Sequence, residues 1–416
     1  MKRKLLIFLT IVFIPGILIS QETEQKAKVT LSGYVRYELF MDTYESVDTR
    51  DGEVYLYPLS ENLDINDDDI NKNLSLNMLG LQARPKIIAT GLSAFGAEVT
   101  GVLEGDFLGV SQADSRMLRL RHGFLNLKWQ KSQLLMGHYW HPMFVTECFP
   151  ATVSMGAGVP FHVLNRAPQV RYTANLGSKF SLMGALLVHG YHKSVGPANA
   201  QRNSGLPDMQ LQFKFKNDYV FSSITAGYKF LKPRLVTDTL GVKTDEMIGS
   251  FNLAANAKFS FKPLTIKVEG IYGQNLTNFV MIGGYGASDD PYTVDDYGYS
   301  NINTMSVWAD FALNFDNIEV ALFGGYSSNL SATDDYYSLT VKEIDQSYTR
   351  GETIKSIFRV SPRLIIKSGK VDFGLEYMLT GAVYGTLDTV NPDYSFEDTD
   401  KPTINNRVIF SARYSF

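Results

Sequence analysis

The chain ends on Arg407-Val408-Ile409-Phe410-Ser411-Ala412-Arg413-Tyr414-Ser415-Phe416, and this stretch decides the fold. Val408, Phe410, Ala412, Tyr414 and Phe416 fall on one face. Arg407, Ser411, Arg413 and Ser415 fall on the other, with Ile409 as the apolar exception. A period of two is the signature of a strand. One face of aromatics against one of arginines suits hydrocarbon on one side and water on the other. A soluble sandwich also alternates, because it buries its apolar face on a second sheet. The rest of the chain has to separate the two.

Working back from the end, sixteen segments follow the same rule. They are 28–42, 74–88, 92–107, 117–129, 133–143, 167–174, 179–189, 207–216, 220–230, 246–260, 264–273, 303–315, 318–327, 354–367, 371–380 and 404–416. Alternate connections are short and made of turn residues: Ala89-Thr90-Gly91, Gln130-Lys131-Ser132, 175–178, Asn217-Asp218-Tyr219, Phe261-Lys262-Pro263, Asp316-Asn317 and Ser368-Gly369-Lys370. The other connections are long: 43–73, 108–116, 144–166, 190–206, 231–245, 274–302, 328–353 and 381–403. Short turns at one end and long loops at the other are the plan of an outer-membrane barrel with an even strand number. A sandwich has no reason to sort its loops by length. The expected fold class is therefore all-β, a transmembrane antiparallel barrel of sixteen strands, with 14 and 18 the neighbouring even counts. About sixteen strands also leave room for water inside.

The faces agree from strand to strand. In 246–260, Phe251, Leu253, Ala255, Ala257 and Phe259 oppose Ser250, Asn252, Asn256 and Lys258. In 371–380, Val371, Phe373, Leu375, Tyr377 and Leu379 oppose Asp372, Glu376 and Thr380. Turning a Lys or Arg to lipid at midplane costs about 2–4 kcal/mol. A one-residue slip would do that to a whole strand, so the penalty sets the register. Trp129, Phe180, Phe221, Phe259, Phe315, Tyr414 and Phe416 sit near the short-turn ends, where an interfacial girdle belongs. In 117–129 the phase inverts after Arg119 and Arg121, which calls for a bulge near His122-Gly123. The phase of 133–143 is ambiguous.

Composition narrows the class further. The 416 residues are 44% hydrophobic and 12% aromatic, enough to exclude a disordered chain. A net charge of −4 argues against a nucleic-acid partner, and one cysteine excludes a disulfide scaffold. Lys2, Arg3 and Lys4 precede an apolar run, Leu5 to Ile19, broken by Thr10, Pro15 and Gly16 and followed by the small Ser20. Residues 1–20 read as a secretory signal peptide and 21–416 as a single barrel. No later stretch is long and apolar enough for a membrane helix.

Charge is separated along the chain. The eight long connections hold 27 acidic and 12 basic residues, while the strands and short turns beyond residue 20 hold 16 acidic and 24 basic. Arg36, Arg84, Arg119, Arg121, Arg171, Arg359, Arg363 and Arg413 lie on inward phases, with Glu98, Glu104 and Asp106 among them. Read as function, these are pore-lining residues that favour anions. Read as structure alone, they are salt bridges between neighbouring strands, such as Glu104 with Arg119. The third long connection, FVTECFPATVSMGAGVPFHVLNR at 144–166, is too apolar for an exposed loop. It is expected to fold into the barrel and narrow it; a subunit contact is the other use of such a loop.

Sixteen strands, a terminal phenylalanine and an apolar third loop resemble the Gram-negative general porins. Local strings resemble the DcaP-like branch: EGDFLG at 104–109, LRLRHGFLNL at 118–127, MGHYWHPMF at 136–144, RAPQVRYT at 166–173, GLPDMQLQF at 205–213 and YGQNL at 272–276. The resemblance implies a homotrimer, diffusion through a water-filled lumen and constriction by the third loop. It also implies that Gly137-His138 lines the eyelet, where porins often carry arginine, and that Arg119, Arg121 and Arg171 face the lumen.

Other tempting groups carry little chemistry. His138 and His141, and His189 and His192, are three apart, which places each pair on opposite faces of a strand. Asp64, Asn66 and Asp68 are spaced like a calcium loop, but the glycine and the distal glutamate of that loop are missing. They read as a solvated loop with at most weak calcium binding, and no other metal site and no cofactor is expected. The function expected is passive diffusion of small hydrophilic, anion-favoured solutes across the outer membrane, among its lipid and lipopolysaccharide, with no enzymatic activity. A surface adhesin or receptor presenting the acidic loops is the alternative. A barrel hydrolase built on the histidines is a third.

Overall fold

Alternation carries directly into the wall. Along Thr403–Ser415 the side chains of Arg407, Ile409 and Ser411 are buried, while Val408, Phe410 and Tyr414 stand exposed. Each strand repeats this rhythm and pairs antiparallel with the next. This computed structural model describes residues 26–291, 293–337, 347–388 and 394–416. The expected signal peptide, 1–20, lies outside the described residues.

Sixteen wall strands follow in chain order. The first is Lys28–Asp42, and the second comes in two segments, Ser75–Leu79 and Arg84–Ala94. Then come Ala97–Asp106, Arg119–Lys128, Ser132–Trp140, Arg166–Leu176, Phe180–Leu187, Asp208–Lys216 and Val220–Leu231. The last seven are Ile248–Phe261, Leu264–Gln274, Tyr299–Asn314, Ile318–Ala332, Ile354–Ser368, Val371–Leu387 and Thr403–Ser415. The first strand pairs with the last, from Tyr34 with Ser415 to Asp42 with Arg407, and so closes the barrel. Closure leaves no edge strand, which a wall facing hydrocarbon requires. Among the described residues no helix is long and apolar enough to cross a membrane.

One turn of the chain differs from the sequence reading. The expected turn at Ala89-Thr90-Gly91 is a bulge inside the second strand, with a register shift between Ala89 and Leu92 and Gly91 at φ +88°. That strand continues to Ala94, which pairs with Ala97 across Phe95-Gly96. Both turn residues have left-handed φ, 54° and 72°, as a two-residue type I′ turn demands. Glycine serves a bulge and a turn equally well, so the sequence offered two sites for one reversal. In the fourth strand His122 faces Glu104 and Leu120 faces Gly105. The extra residue is therefore Arg121, so the bulge expected near His122-Gly123 is present beside His122, and Arg121 and His122 are both buried.

Outside, exposed aromatics ring the short-turn end. Phe180 stacks on Phe213 with centroids 5.7 Å apart and Tyr219 on Phe261 at 6.2 Å, and Phe315, Tyr414 and Phe416 are exposed. Trp129 donates its indole N–H to the carbonyl of Phe95 at 3.0 Å. Phe221 is not part of this girdle. It shares the inward phase of Ser223 and Thr225 and is buried in the apolar cluster inside the barrel.

Candidate functional site: a basic cavity inside the barrel

Two connections fold into the interior beside the segment Leu276–Phe279, which joins the same apolar cluster. One runs from His141 to Asn165 between the fifth and sixth strands. The other is a hairpin of the first long connection, Ser46–Thr49 paired with Val54–Pro58. Wall side chains hold both by their backbone carbonyls. Lys267 Nζ donates to Phe149 O at 2.8 Å, Ser306 Oγ to Phe161 O at 2.8 Å, and Arg36 to Val153 O. Arg359 donates to Val159 O at 2.7 Å and to Leu56 O at 2.8 Å, joining the two insertions. Arg407 reaches Gly52 O at 2.7 Å. His162 Nδ1 lies 2.7 Å from Glu269 Oε1, and Ser154 N donates to Glu376 Oε2 at 2.7 Å.

The insertions dock because they are apolar and because the wall makes room. Phe144, Val145, Cys148, Phe161 and Val163 pack with Val54, Leu56 and Tyr57 against Phe221, Trp308 and Phe323. Gly325 is the wall's concession: a Cβ there would lie 2.6 Å from Phe161 Cγ. Gly156, Ala157 and Gly158 all have positive φ, which bends the third loop back on itself. Cys148 is buried there, and burial first pushes its thiol up to about 12.

This packing fills one side of the lumen and leaves a cavity of about 780 Å³ on the other. Its lining reaches from Lys367, Asp372 and Arg413 near the short-turn end to Arg50, His192 and Arg350 in the long connections. Ten basic residues line it: Arg36, Arg50, Arg84, Lys86, Arg119, Arg121, Arg166, Arg350, Lys367 and Arg413. Three acidic residues share it: Glu104, Glu319 and Asp372.

Ion pairs explain how so many cations coexist, and where charge remains over. Asp106 takes Arg119 at 2.6 Å and Arg121 at 2.9 Å, with Arg84 at 3.8 Å. Glu104 takes Arg121 at 2.8 Å and Lys86 at 3.7 Å. Four cations therefore share two carboxylates. Arg413 pairs with Asp372 at 2.6 Å and Arg36 with Glu38 at 2.5 Å. Arg350 is bound only by carbonyls among the contacts described, those of Thr277 and Met281, which satisfy its N–H groups without cancelling its charge. Arg166 lies 4.7 Å over the Trp140 ring and has no carboxylate partner among the described residues. Burial first, and then the guanidiniums of Arg166, Arg119, Arg350 and Arg50, hold His192 well below its ordinary pKa.

Of the residues singled out in the sequence, Arg36, Arg84, Arg119, Arg121, Arg413 and Glu104 line the cavity, with Asp106 buried directly behind. The others lie off it. Arg363 is locked to Asp310 at 2.5 Å and Glu319 at 3.1 Å, and Arg359 is covered by the two insertions it holds. Arg171 donates to Gln169 at 3.0 Å and to Trp140 O at 2.5 Å. His138 packs on Tyr191 at 5.3 Å, and Glu98 is exposed near the short-turn end, in register with Lys128. Alternation places a side chain inside, but the insertions decide whether it meets water.

Arg50, Arg166 and Arg350 are the lining cations that alternation missed, because they sit in or beside long connections. Arg166 had one sequence signal: it closes an apolar loop in which Glu147 is the other charged residue. Asp64 accepts the N–H groups of Asn66 at 2.8 Å and Asp68 at 3.0 Å, so it caps its own turn, and its carboxyl is held below the usual range. No cluster of three metal-ligating side chains occurs among the described residues. His141 faces Asp208 at 3.1 Å, so both it and His162 are engaged with carboxylates of the wall.

No protein-family model matches the chain, and no curated protein matches it in sequence. Solved structures do match in shape. The outer-membrane channel DcaP of Acinetobacter baumannii superposes with a TM-score of 0.66 at 16% identity, over 95% of this chain and 99% of that one. An anion-selective porin from Comamonas acidovorans gives 0.54 at 11% identity, over 94% and 100%. The trimer form of OmpT, an outer-membrane protein of Vibrio cholerae, gives 0.54 at 13% identity, over 94% and 99%. At these identities the likeness is one of fold: this chain is built on the same barrel plan as known outer-membrane channels.

Proposed function

We propose that the chain is an integral outer-membrane porin that passes small hydrophilic solutes by diffusion and favours anions. The observation that carries this reading is the cavity lining, with ten cations against three carboxylates inside an apolar-rimmed barrel. Fixed cations in a narrow passage attract anions and repel cations. The third loop, 144–166, limits the size of what passes, since Thr146 and residues 149–157 form part of the lining. Chemistry on the solute is no part of this reading. Residues 1–20 direct export, the barrel sits among outer-membrane lipid and lipopolysaccharide, and it assembles as a homotrimer, as the trimer form of OmpT does.

Reconstitution in planar bilayers tests the reading. Stepwise conductance is expected, with a reversal potential in a salt gradient that has the anionic sign. A double variant, Arg119→Gln with Arg121→Gln, is expected to shift that potential toward zero. Cation preference in the wild type would overturn the anionic part. Absence of any conductance would overturn the channel and favour a surface receptor that displays its acidic loops.

A further inference from the structure

We propose that the hairpin at residues 46–58 is a second constriction, latched inside the barrel by the contact of Glu53 with Glu38 and released in alkaline solution. The proposal rests on the channel reading above and names a regulation of that same passage.

The hairpin is placed to obstruct. Thr49, Arg50 and Val54 line the cavity beside the third loop, while Val54, Leu56 and Tyr57 belong to the apolar cluster inside the barrel. Its departure would widen the passage beside the third loop. Its turn also leans on the docked position. Arg50, Asp51 and Gly52 have φ of 62°, 57° and 87°, a region where only glycine is at ease.

The latch is a pair of carboxyl groups. Glu53 and Glu38 are both buried, and the single Nε2 of Gln82 donates to Glu53 at 2.9 Å and to Glu38 at 2.7 Å. The remaining oxygen of Glu53 has no hydrogen-bond partner among the described residues. Two carboxyls this close in a buried site do not both ionise readily. The surrounding charges decide which one keeps its proton. From the first strand, Arg36 pairs with Glu38 at 2.5 Å. From the last strand, Arg407 is committed to Asp42 at 2.7 Å and to Gly52 O at 2.7 Å. The hairpin itself adds Asp48, Arg50 and Asp51. Arg36 is engaged by Glu38, and no cation pairs with Glu53 among the described residues, so Glu53 is the carboxyl that is costly to ionise. Burial first, and then Glu38, hold the Glu53 carboxyl well above its ordinary value.

The sign follows from linkage. A carboxyl whose value is raised in the docked state favours docking while it is neutral. That preference is lost as pH rises through the raised value. Ionised, Glu53 would face Glu38 across one amide nitrogen with one oxygen unpartnered, and the hairpin would leave.

The test uses the full-length barrel and Glu53→Gln, which keeps the shape and cannot ionise. Conductance is read at about pH 6 and about pH 9, since buried glutamates reach about 8–9. Tryptic cleavage after Arg50 is followed at the same two values. Wild-type conductance is expected to rise about twofold as the constriction clears, and cleavage relative to the variant is expected to speed up. The variant is expected to show neither rise. Conductance with no pH dependence, or a variant that follows the wild type, overturns the latch. No current at any pH sinks the channel reading instead, and the cleavage ratio then decides the latch by itself.

Discussion

Arg166 and Arg363 show how different two buried arginines of one barrel can be. Arg363 stands between Asp310 and Glu319, so its charge is cancelled within the wall. Removing it strands two carboxylates, and breaking such a buried pair costs about 3–5 kcal/mol. Arg166 meets an indole face and the cavity, so its charge stays in the passage. A unit charge at about 4 Å in water is worth about 1 kcal/mol. Arg166→Gln is therefore expected to lower the anion-to-cation permeability ratio about three- to fivefold, with the melting behaviour little changed. Arg363→Gln is expected to do the reverse: a marked loss of resistance to urea and an unchanged ratio. Reversal potentials and urea titrations on the two variants check both halves. If the two variants shifted the ratio equally, the distinction drawn here between spent and available charge would be wrong. That distinction was not legible in the sequence. Alternation tells which arginines face in. It does not tell that Arg359 is spent on Val159 and Leu56, partners 200 and 303 residues away.

Among the elements, the strands were the most legible and the insertions the least. Strands declare themselves because each must turn a greasy face to hydrocarbon, and a slip is penalised at every residue. Turns are punctuated by residues with more than one use: Gly91 suits a reversal in the sequence and serves a bulge in the fold. The hairpin at 46–58 was hidden for another reason. Its apolar run, Val54-Tyr55-Leu56-Tyr57, lies in a connection whose acidic remainder belongs outside. The third loop announces itself, since most of it is apolar or small. Its seat depends on Gly325, where any side chain would strike Phe161. Gly325→Val is expected to cost about 1–3 kcal/mol, the usual penalty of overpacking a filled site. It is also expected to push the loop off the wall and raise conductance. A stability loss with unchanged conductance would mean that the wall yields instead of the loop. Urea unfolding and single-channel recordings on this one variant separate the outcomes.

For the whole molecule, the division of charge sets how the channel should respond to its medium. The long connections are strongly acidic and the cavity is basic, so an anion meets repulsion at the mouth and attraction within. Which of the two dominates depends on distance. Apart from the buried Glu53, the described acidic side chains of these connections are exposed or half-buried at water, where screening is strong. The cations crowd a cavity of about 780 Å³, so a solute inside lies within a few ångströms of several of them. The screening length is about 10 Å at 0.1 M salt and about 3 Å at 1 M. At the lower value the lining acts as one field across the passage. At the higher value a solute feels only the charge beside it. Anion preference is therefore expected to be strongest in dilute salt and to fall toward unity as salt approaches about 1 M. Reversal potentials measured at a fixed gradient over a series of mean concentrations give the curve directly. A preference that did not change with salt would mean that selection comes from close contact at one point, such as a dehydrated ring. The cavity would then have to be narrower, at some level between Arg413 and Arg50, than a diffusion path for hydrated solutes allows.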